Sequence, residues 1–558
     1  MNRGVSAGGE PVGGGAAALD ATASQRNRAA GRMAALTAVS RATGFARVIV
    51  VAAVLGTSYL GNTYQSANSI PNILFELFAA GVLQSVLVPV MVDAVDGGGR
   101  EEGESVAGTV LGAMLALLAG LVAAGLVAGP WIMRALVSGV DDAAVRAAQV
   151  RLGTFFLFFF LPQILFYAAN LVATAALNAT GRFALPVFAP TVNNVVVIGT
   201  YLVFAVLRDG APPSLDLTMA EQLVLAVGTT LGVVAFCAVP VVGLWRTGFR
   251  LVPRWAPRDP RLRRLARQGA WAAGFLGASQ LLLVVVLYLS NAVEGGVVVY
   301  QLAYVLFMLP NSLFAVPVFT TAFPTLTRQA RAGHWDDFAS EVGRTTRSIT
   351  LLTFTSAALL VALARPLAEL VALGNAAGRS AEVAAAIAGF ALALPGFSVL
   401  LFLTRVSYAI GNVRTPTLVN AVVAVVGAVV MFASVPTVAD GRRVMVIGFG
   451  YAVAQTVGAL LLAWAIRSRL HEEGARVRSV VLPVLRAVAA ATAAGLAAWG
   501  VALAVDAGSP GPAVLAVAVG SVAGMLAVAV VVWVLRGPAP ARLVRSLGGD
   551  VGPSGAVP

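Results

Sequence analysis

Long apolar stretches separated by short polar segments run through almost the whole chain. Each stretch is about 20 residues or longer, the length that an α-helix needs to cross the hydrocarbon core of a bilayer. The short alternating segments typical of a membrane β-barrel do not dominate the sequence. The pattern predicts an all-α polytopic membrane protein with about fourteen transmembrane helices. The predicted spans are 35–56, 68–92, 106–133, 152–177, 186–207, 220–245, 269–290, 298–325, 346–364, 382–408, 416–436, 444–466, 480–504 and 512–535.

Composition leads to the same class of protein. Of the 558 residues, 59% are hydrophobic and only 11% are charged, whereas a soluble protein carries about 25% charged residues. The two ends of the chain differ from the rest, because residues 1–32 and 537–558 are rich in small residues and lack a long apolar run. The first segment also lacks the apolar core and cleavage site of a signal peptide. We expect both ends to be disordered cytoplasmic tails.

The arginine distribution predicts the orientation. The net charge is +13, and all 38 basic residues are arginine. Cytoplasmic loops of membrane proteins carry an excess of basic residues, and the segment from Arg246 to Arg267 alone holds eight. With both termini in the cytoplasm, the loops on the other side of the membrane hold only Arg146, Arg208, Arg365, Arg379, Arg442 and Arg443. The loop from Asp93 to Glu104 is acidic but still assigned inside, since acidic residues weigh little in this rule.

Two pairs of sequence marks reveal an internal repeat. Ile70-Pro71-Asn72 in the second span has a counterpart in Leu309-Pro310-Asn311 of the eighth. Arg182 before Pro186 has a counterpart in Arg414 before Pro416. Each unit therefore has six spans, and an even number keeps both units in the same orientation.

The repeat predicts the domain organisation. We expect two parallel six-helix lobes, residues 33–250 and 269–467, around a central cavity. A basic cytoplasmic linker, 251–268, joins the lobes, and two additional transmembrane helices follow in 480–535. Polytopic transporters are commonly built from such repeats, with the substrate site at the repeat interface.

Several kinds of chemistry are excluded. Without lysine, the chain has no P-loop of its own and no Schiff-base chemistry. Cys237 is the only cysteine, and the two histidines show no metal-ligand spacing. We therefore expect a transporter rather than an enzyme, with no cofactor or metal and with energy from the membrane potential or an unidentified coupling ion. No nucleic-acid partner is expected, because the arginines follow the topology pattern.

Charge inside a membrane span is costly and marks candidate functional positions. In the first span, Arg41 and Arg47 are six residues apart, which is about 9 Å along a helix and about 120° around it. Guanidinium groups grip phosphate or pyrophosphate in bidentate fashion. Alternatively, Arg41 extends to the cytoplasmic surface and Arg47 pairs locally.

A polar stripe in the second span is the next candidate. Asn68, Asn72 and Glu76 are spaced one helical turn apart, which predicts a hydrated face. Glu76 could pair with one of the first-span arginines or carry a proton, and both interpretations stay open.

Residues at two helix junctions form a third group, Asn178, Arg182, Pro186, Arg414 and Pro416. We expect the two arginines to act first as loop anchors and topology signals, with substrate contact as the alternative.

Four segments are similar to the signatures of one known family. Residues 40–47 match its SRxxGFxR signature, and 70–74, followed by Gly81 and Val88-Pro89, are similar to its second helix. Residues 177–190 resemble its LNxxxRFxxPxFxP segment, and 408–416 resemble its YAxxDxRTP segment. The four marks occur in family order, and in them the chain resembles the MurJ/MviN lipid II flippases. The lysine-free composition is typical of a GC-rich bacterium such as an actinobacterium.

The resemblance implies the multidrug/oligosaccharidyl-lipid/polysaccharide exporter fold and the flipping of lipid II, an undecaprenyl-pyrophosphate-linked peptidoglycan precursor, to the outer leaflet. It implies that Arg41 and Arg47 engage the pyrophosphate, that the last two helices hold the lipid tail, and that cell-wall synthesis proteins are possible partners. The chain departs from the family at an acidic position, where it has Asn62, and at charged positions now occupied by Phe75, Glu76, Ala80, Val305 and Met308.

Two alternatives to a lipid II flippase remain. One is an exporter of another lipid-linked saccharide or of small cationic drugs, although a drug exporter should show several carboxylates in its cavity. The other is a non-transporting membrane scaffold for cell-wall enzymes.

Overall fold

The computed structural model describes residues 13–80, 87–475, 481–505 and 508–535, and within these ranges the regular structure is helical. The α-helices are α1 (Gly13–Leu55), α2 (Tyr59–Phe75), α3 (Leu87–Leu136), α4 (Ala143–Phe160), α5 (Gln163–Ala179), α6 (Ala184–Arg208), α7 (Met219–Trp245), α8 (Pro260–Asn291), α9 (Gly296–Pro310), α10 (Val316–Ala332), α11 (Trp335–Ala362), α12 (Ala364–Val371), α13 (Ser380–Ala391), α14 (Leu394–Ala409), α15 (Arg414–Ser434), α16 (Asp440–Glu472), α17 (Val481–Ala504) and α18 (Pro510–Leu535).

Twelve helices or continuous helical stretches in the described ranges are long and apolar enough to cross a membrane. A thirteenth is obtained if α13 and α14, which meet with a 41° bend, form one broken span. The chain is therefore a multi-pass helical membrane protein, as predicted, but the expected count of fourteen is not reached. The predicted second span, 68–92, has no counterpart among these helices, and residues 81–86 within it lie outside the described ranges.

The segment between the second and third predicted spans differs from the expected loop. Helix α2 continues as a π-helical segment, Glu76–Ala80. The region 93–104, expected to be a loop, is helical on both sides of a sharp kink in α3. The kink lies at Gly99, whose φ of 67° is a backbone conformation that glycine adopts without steric cost.

Three predicted connecting or terminal segments can be compared with the helix bounds. Helix α1 begins at Gly13, so residues 13–32 of the expected disordered tail are helical. Helix α8 begins at Pro260, so the later part of the expected linker, 251–268, is helical as well. The expected tail at 537–558 lies outside the described residues.

Two large apolar cores divide the protein into two lobes. One core comprises buried side chains from 51–249 with two from the other lobe, and we call the surrounding helices α1–α7 the N-lobe. The other comprises side chains from 282–475 with Ala52 from the N-lobe, and we call helices α8–α16 the C-lobe. The few shared residues indicate that the lobes are packed separately and touch over a limited surface.

Matching local structures confirm the internal repeat. Helix α5 ends with Gly181 at a φ of 73°, and the amide of the next residue donates to the carbonyl of Leu177. Helix α14 ends in the same way, with Gly411 at a φ of 75° and Asn412 donating to Ser407. Both are Schellman caps, in which a left-handed residue satisfies the last carbonyls of a helix. Each repeat also has a π-helical segment near its Pro-Asn pair. The segment Glu76–Ala80 begins four residues after Asn72, and the segment Asn311–Ala315 begins at the Asn itself.

The two added helices pack on the C-lobe. Helix α17 lies against α11, and α18 lies against α17 and α12. A side chain at Gly520 or Gly524 would clash with Leu363 or Leu359, respectively. Small residues of this kind let membrane helices approach closely.

Candidate functional site

Arg47 lies in a small polar cavity inside the N-lobe. The cavity has a volume of about 300 Å³ and is formed by side chains from α1, α2, α5, α6 and α7. Its lining residues are Arg47, Tyr64, Asn68, Asn72, Tyr167, Pro190, Asn193, Asn194, Val197, Tyr201, Thr229, Val233 and Phe236. Arg47 is the one charged residue among them, so the cavity is polar and positively charged.

Two asparagines of α6 hold the arginine helix in place. With its amide oriented to satisfy both neighbours, Asn193 accepts a hydrogen bond from Nη1 of Arg47 at 3.3 Å and donates to the carbonyl of Gly232. Asn194 donates to Oγ1 of Thr43 at 3.1 Å. The Arg47 guanidinium is thus anchored by a neutral amide, and no carboxylate in the described ranges pairs with it.

One wall of the cavity is a chain of hydroxyl groups. The Tyr64 hydroxyl lies 2.6 Å from Oγ1 of Thr229, and the Tyr201 hydroxyl donates to Tyr64 at 2.9 Å. The rings of Tyr64 and Tyr201 meet edge to face with centroids 5.8 Å apart. Tyr64 is fully buried, so this wall is rigid and its polar groups are satisfied.

The predicted stripe in the second span is only partly brought to the cavity. Asn68 and Asn72 line it, and the Asn72 amide donates to the carbonyl of Asn68 at 2.9 Å. Glu76 starts the π-helical segment, is half-buried and is not part of the lining. Among the described residues, no ion pair joins Glu76 to Arg41 or Arg47. Its pairing with a first-span arginine is therefore not present in this structure.

Arg41 points to a different place from Arg47. Its side chain is exposed, and its Nη1 donates to Oγ of Ser312 at 3.2 Å. Ser312 belongs to the π-helical segment of the C-lobe. The two arginines predicted as a pair are thus divided, with Arg47 inside the N-lobe and Arg41 bridging to the C-lobe.

The junction residues form helix caps and anchors. The carbonyl of Asn178 accepts from the amide of Gly181 within the first Schellman cap. The Arg414 guanidinium carbon lies 5.5 Å from the ring centroid of Trp271 on α8, whereas Arg182 is exposed at its junction. Pro186 and Pro416 lie in the first turns of α6 and α15. Aligning Gly181 with Gly411 places Arg182 opposite Asn412, so Arg182 and Arg414 are not equivalent positions.

At the end of the bundle where α1 finishes, the lobes are joined by hydrogen bonds. Asn62, which is fully buried, donates to the carbonyl of Val293 at 2.7 Å and accepts from the amide of Val297 at 2.9 Å. The amide of Asn291 donates to Oγ of Ser66 at 2.8 Å. We call the contact made by these residues the interlobe seal.

The rim of the interlobe seal adds polar and close backbone contacts. Asn375 of the C-lobe donates to the carbonyl of Val54 on α1 at 3.0 Å, and Arg379 pairs with Glu294 within the C-lobe at 2.9 Å. Gly295 has a φ of 67°, and a side chain there would overlap the backbone of Thr57. The two lobes are therefore closed against each other at this end.

The C-lobe contains an equivalent but uncharged cavity of about 320 Å³. Helices α8, α9, α14, α15 and α16 supply most of its lining, and these correspond in the repeat to the helices that line the N-lobe cavity. Asn420 donates to the carbonyl of Phe275 and to Oγ of Ser279, at 2.6 and 2.8 Å. The positive charge of Arg47 therefore distinguishes the N-lobe cavity from its C-lobe counterpart.

A larger crevice of about 870 Å³ lies among α11, α14, α16 and α17. Its lining is mostly apolar, and Arg347 and Arg467 are among the few charged residues in it. Of the two added helices, α17 contributes Val484, and α18 does not appear among the lining residues.

Sequence reasoning missed several residues of the N-lobe cavity, chiefly Asn193, Asn194, Tyr64 and Tyr201. The two asparagines are adjacent in an otherwise apolar span, and polar residues in a span are a signal of an interior face. The tyrosines carry no comparable signal, because aromatic residues are also common in apolar packing.

Comparison with known proteins decides the family. The model of the family described as "Lipid II flippase MurJ" matches residues 51–519. The chain belongs to the MurJ family of lipid II flippases. It is 25% identical over 439 residues to a probable lipid II flippase MurJ of Rhizobium tropici, covering 78% of this chain and 79% of that protein. It is 26% identical over 446 residues to the lipid II flippase MurJ of Burkholderia cenocepacia, covering 78% and 82%.

Solved structures agree on the fold. A lipid II flippase MurJ in an inward closed conformation superposes with a TM-score of 0.71 at 16% identity, covering 92% of this chain and 99% of that one. An inward-facing multidrug resistance MATE family transporter of the MOP superfamily gives a TM-score of 0.65 at 15% identity, covering 78% and 95%. The family is one of transporters, which agrees with the prediction that the chain is not an enzyme.

Proposed function

We propose that this protein moves lipid II from the cytoplasmic to the outer leaflet of the bacterial plasma membrane by alternating access of its two lobes. The observation that carries the proposal is Arg47, a guanidinium group in a polar cavity of a lipid II flippase fold, with no carboxylate partner among the residues that the structure describes. An anchored guanidinium can donate two parallel hydrogen bonds to a phosphate. A diphosphate headgroup is therefore the kind of ligand that this cavity suits.

Arg41 and Arg47 divide the binding of the diphosphate between the lobes. Arg47 holds it from the N-lobe, and Arg41, now bonded to Ser312, contributes from the boundary with the C-lobe. Asn68 and Asn72, which also line the cavity, offer amide groups. Because Arg41 contacts both lobes, binding of an anion there is coupled to the separation of the lobes.

The interlobe seal sets the direction of access. With the N- and C-termini in the cytoplasm, α1 ends at the outer surface and the seal closes the outer side. The arrangement described here then corresponds to a state that releases or accepts substrate from the cytoplasmic side. Opening of the seal exposes the diphosphate to the outer side and completes the movement.

The isoprenoid tail stays in the apolar phase while the headgroup crosses. The crevice among α11, α14, α16 and α17 is apolar and large enough to take part of such a chain. Glu76 carries a proton or balances the charge of a bound cation during the cycle, since it is a half-buried carboxylate that pairs with no arginine of the described ranges. Contacts with cell-wall synthesis proteins would deliver and remove the precursor.

Rescue of a flippase-depleted bacterium tests the function. Wild-type protein should restore growth and clear accumulated lipid II, and Arg47→Ala should abolish both effects at equal expression. Arg442→Ala is the matched control, because Arg442 is an exposed arginine at the start of α16, far along the chain from the cavity. Failure of the wild-type protein to clear lipid II, with altered surface polysaccharide instead, would favour transport of another lipid-linked saccharide.

A further inference from the structure

Arg405 is a charged residue within a membrane helix that neither the sequence motifs nor the N-lobe cavity explains. It lies on α14, where its side chain is exposed while Leu403, Thr404 and Val406 around it are buried. Its guanidinium carbon is 5.3 Å from the ring centroid of Phe319 on α10. Phe319 is only 1% exposed, so the ring is a fixed platform for the cation.

Arg405 has no carboxylate partner within ion-pair distance among the described residues. Other arginines at helix ends are paired, as Arg208 is with Glu221 and Arg379 with Glu294. A charge in a membrane span is costly unless it faces a water-filled cavity or a partner. Stacking on an aromatic ring leaves the edge donors of a guanidinium free for another ligand.

The position of Arg405 along the bundle follows from two contacts between α14 and the helix beside it. Near the start of α14, Oγ of Ser398 donates to Oδ1 of Asn311 at 2.9 Å. Seven residues later, Arg405 meets Phe319, so α14 and α10 run side by side in the same direction. Arg405 is therefore about 10 Å farther along the bundle than the level of Asn311, at 1.5 Å for each helical residue.

The positions of Arg41 and Arg47 can be placed along the same bundle direction as that of Arg405. Arg41 contacts Ser312, the residue next to Asn311. Helix α1 ends beside Asn375, which precedes α13, and α14 continues from α13 away from that end. Helix α1 therefore runs antiparallel to α14. Arg47 is thus about 9 Å beyond Arg41 in the direction of the interlobe seal. The order along the axis is Arg405, Arg41, Arg47, with steps of about 10 Å and with the first arginine on the C-lobe.

We propose that Arg405 is a third substrate-binding arginine, which contacts the diphosphate of a lipid-linked substrate on the cytoplasmic side before Arg41 and Arg47 receive it. This inference rests on the proposed function. Phe319 fixes the guanidinium plane, so that its free edge presents two donors to the phosphate oxygens. The three guanidinium groups then form a path by which the headgroup passes from the C-lobe to the N-lobe cavity.

Binding of farnesyl diphosphate to the purified full-length protein tests the inference. Arg405→Gln should weaken binding at least 10-fold. The affinity of Arg405→Lys should lie between those of the wild-type protein and Arg405→Gln, because lysine keeps the positive charge but lacks the planar guanidinium group. Arg328→Gln is the matched control, since Arg328 is an exposed arginine on α10 whose Nη2 donates to Thr325 of its own helix. Equal affinity of Arg405→Gln and the control would overturn the assignment.

Two further measurements separate a binding role from a structural one. The ratio of the affinity for farnesyl diphosphate to the affinity for farnesyl monophosphate should fall in Arg405→Gln. A misfolded site would instead lose affinity for both ligands by the same factor. Arg405→Gln combined with Arg41→Gln should weaken binding by less than the product of the single effects, since both arginines contact the same diphosphate while it passes from one to the other. An unchanged ratio with multiplicative losses would show that Arg405 does not touch the ligand.

The cell assay distinguishes failure of this inference from failure of the function. If wild-type protein does not clear lipid II from the flippase-depleted strain, the proposed function itself is overturned. If wild-type protein clears lipid II and Arg405→Gln does so equally well at equal expression, only the role of Arg405 is overturned. Loss of clearance in Arg405→Gln, but not in Arg328→Gln, supports both.

Discussion

Replacing Asn62 by alanine should open the interlobe seal. The Asn62 amide pairs with the carbonyl of Val293 and the amide of Val297 in a fully buried position. Each unpaired buried group costs about 1–3 kcal/mol, so the closed state loses about 2–6 kcal/mol in the variant. With about 1.4 kcal/mol for each tenfold change in an equilibrium constant, even the lower value reduces the ratio of closed to open states about 30-fold.

A single cysteine at the seal reports this shift. In a Cys237→Ser background, Thr57→Cys places a thiol where the side chain is only 6% exposed and the backbone packs against Gly295. A membrane-impermeant maleimide added to intact cells should label this thiol slowly. Adding Asn62→Ala should speed labelling, because in the proposed orientation the open state exposes position 57 to the outer side.

Asn420→Ala is the control for a general loss of stability. Asn420 also donates two hydrogen bonds from a buried position, but both go to residues of its own lobe, Phe275 and Ser279. It should lower thermal stability without changing the labelling rate at position 57. Equal labelling of the Asn62→Ala protein and its parent would refute the idea that this side chain holds the lobes together.

Three smaller perturbations test other contacts. Arg379→Gln should change the labelling rate at the seal by no more than about fivefold, because its pair with Glu294 is partly exposed and such pairs contribute about 0–1 kcal/mol; a tenfold change would contradict this. Gly228→Val should lower the melting temperature by several degrees, since a side chain there would overlap the side chain of Thr200 on α6 and overpacking costs about 1–3 kcal/mol. Tyr64→Phe should lower the free energy of unfolding by about 1–3 kcal/mol, because it removes one hydroxyl from a buried hydrogen-bonded chain. Thermal or chemical denaturation of the purified protein measures the stability of the Gly228→Val and Tyr64→Phe variants. An unchanged stability in either variant would contradict the packing described at that position.

The fold was largely predictable because the bilayer imposes a simple rule. A segment that crosses lipid must be apolar for about 20 residues and must satisfy its own backbone, so hydropathy locates most helices. The same rule says little about helices outside the hydrocarbon. The acidic region around Gly99 was therefore predicted as a loop, whereas the structure has a kinked helix there.

The candidate site was predictable only in part. Charge within an apolar span drew attention to Arg41 and Arg47, but their separation into different lobes depends on how α1 packs. The proposed roles of Asn193 and Arg405 depend on contacts with residues far away in sequence, Arg47 for Asn193 and Phe319 for Arg405. Such contacts have no local periodicity from which they could be inferred.

By itself, the sequence determined that the chain is a many-helix membrane protein with a six-span repeat and the family marks of a lipid II flippase. Those properties follow from local quantities, namely apolar length, arginine placement and short motifs. The tertiary structure alone decided that Asn62 joins the lobes, that Arg47 occupies a cavity and that Arg41 bridges to Ser312. Each of these depends on the distance between side chains on different helices, which is set by packing rather than by any segment alone.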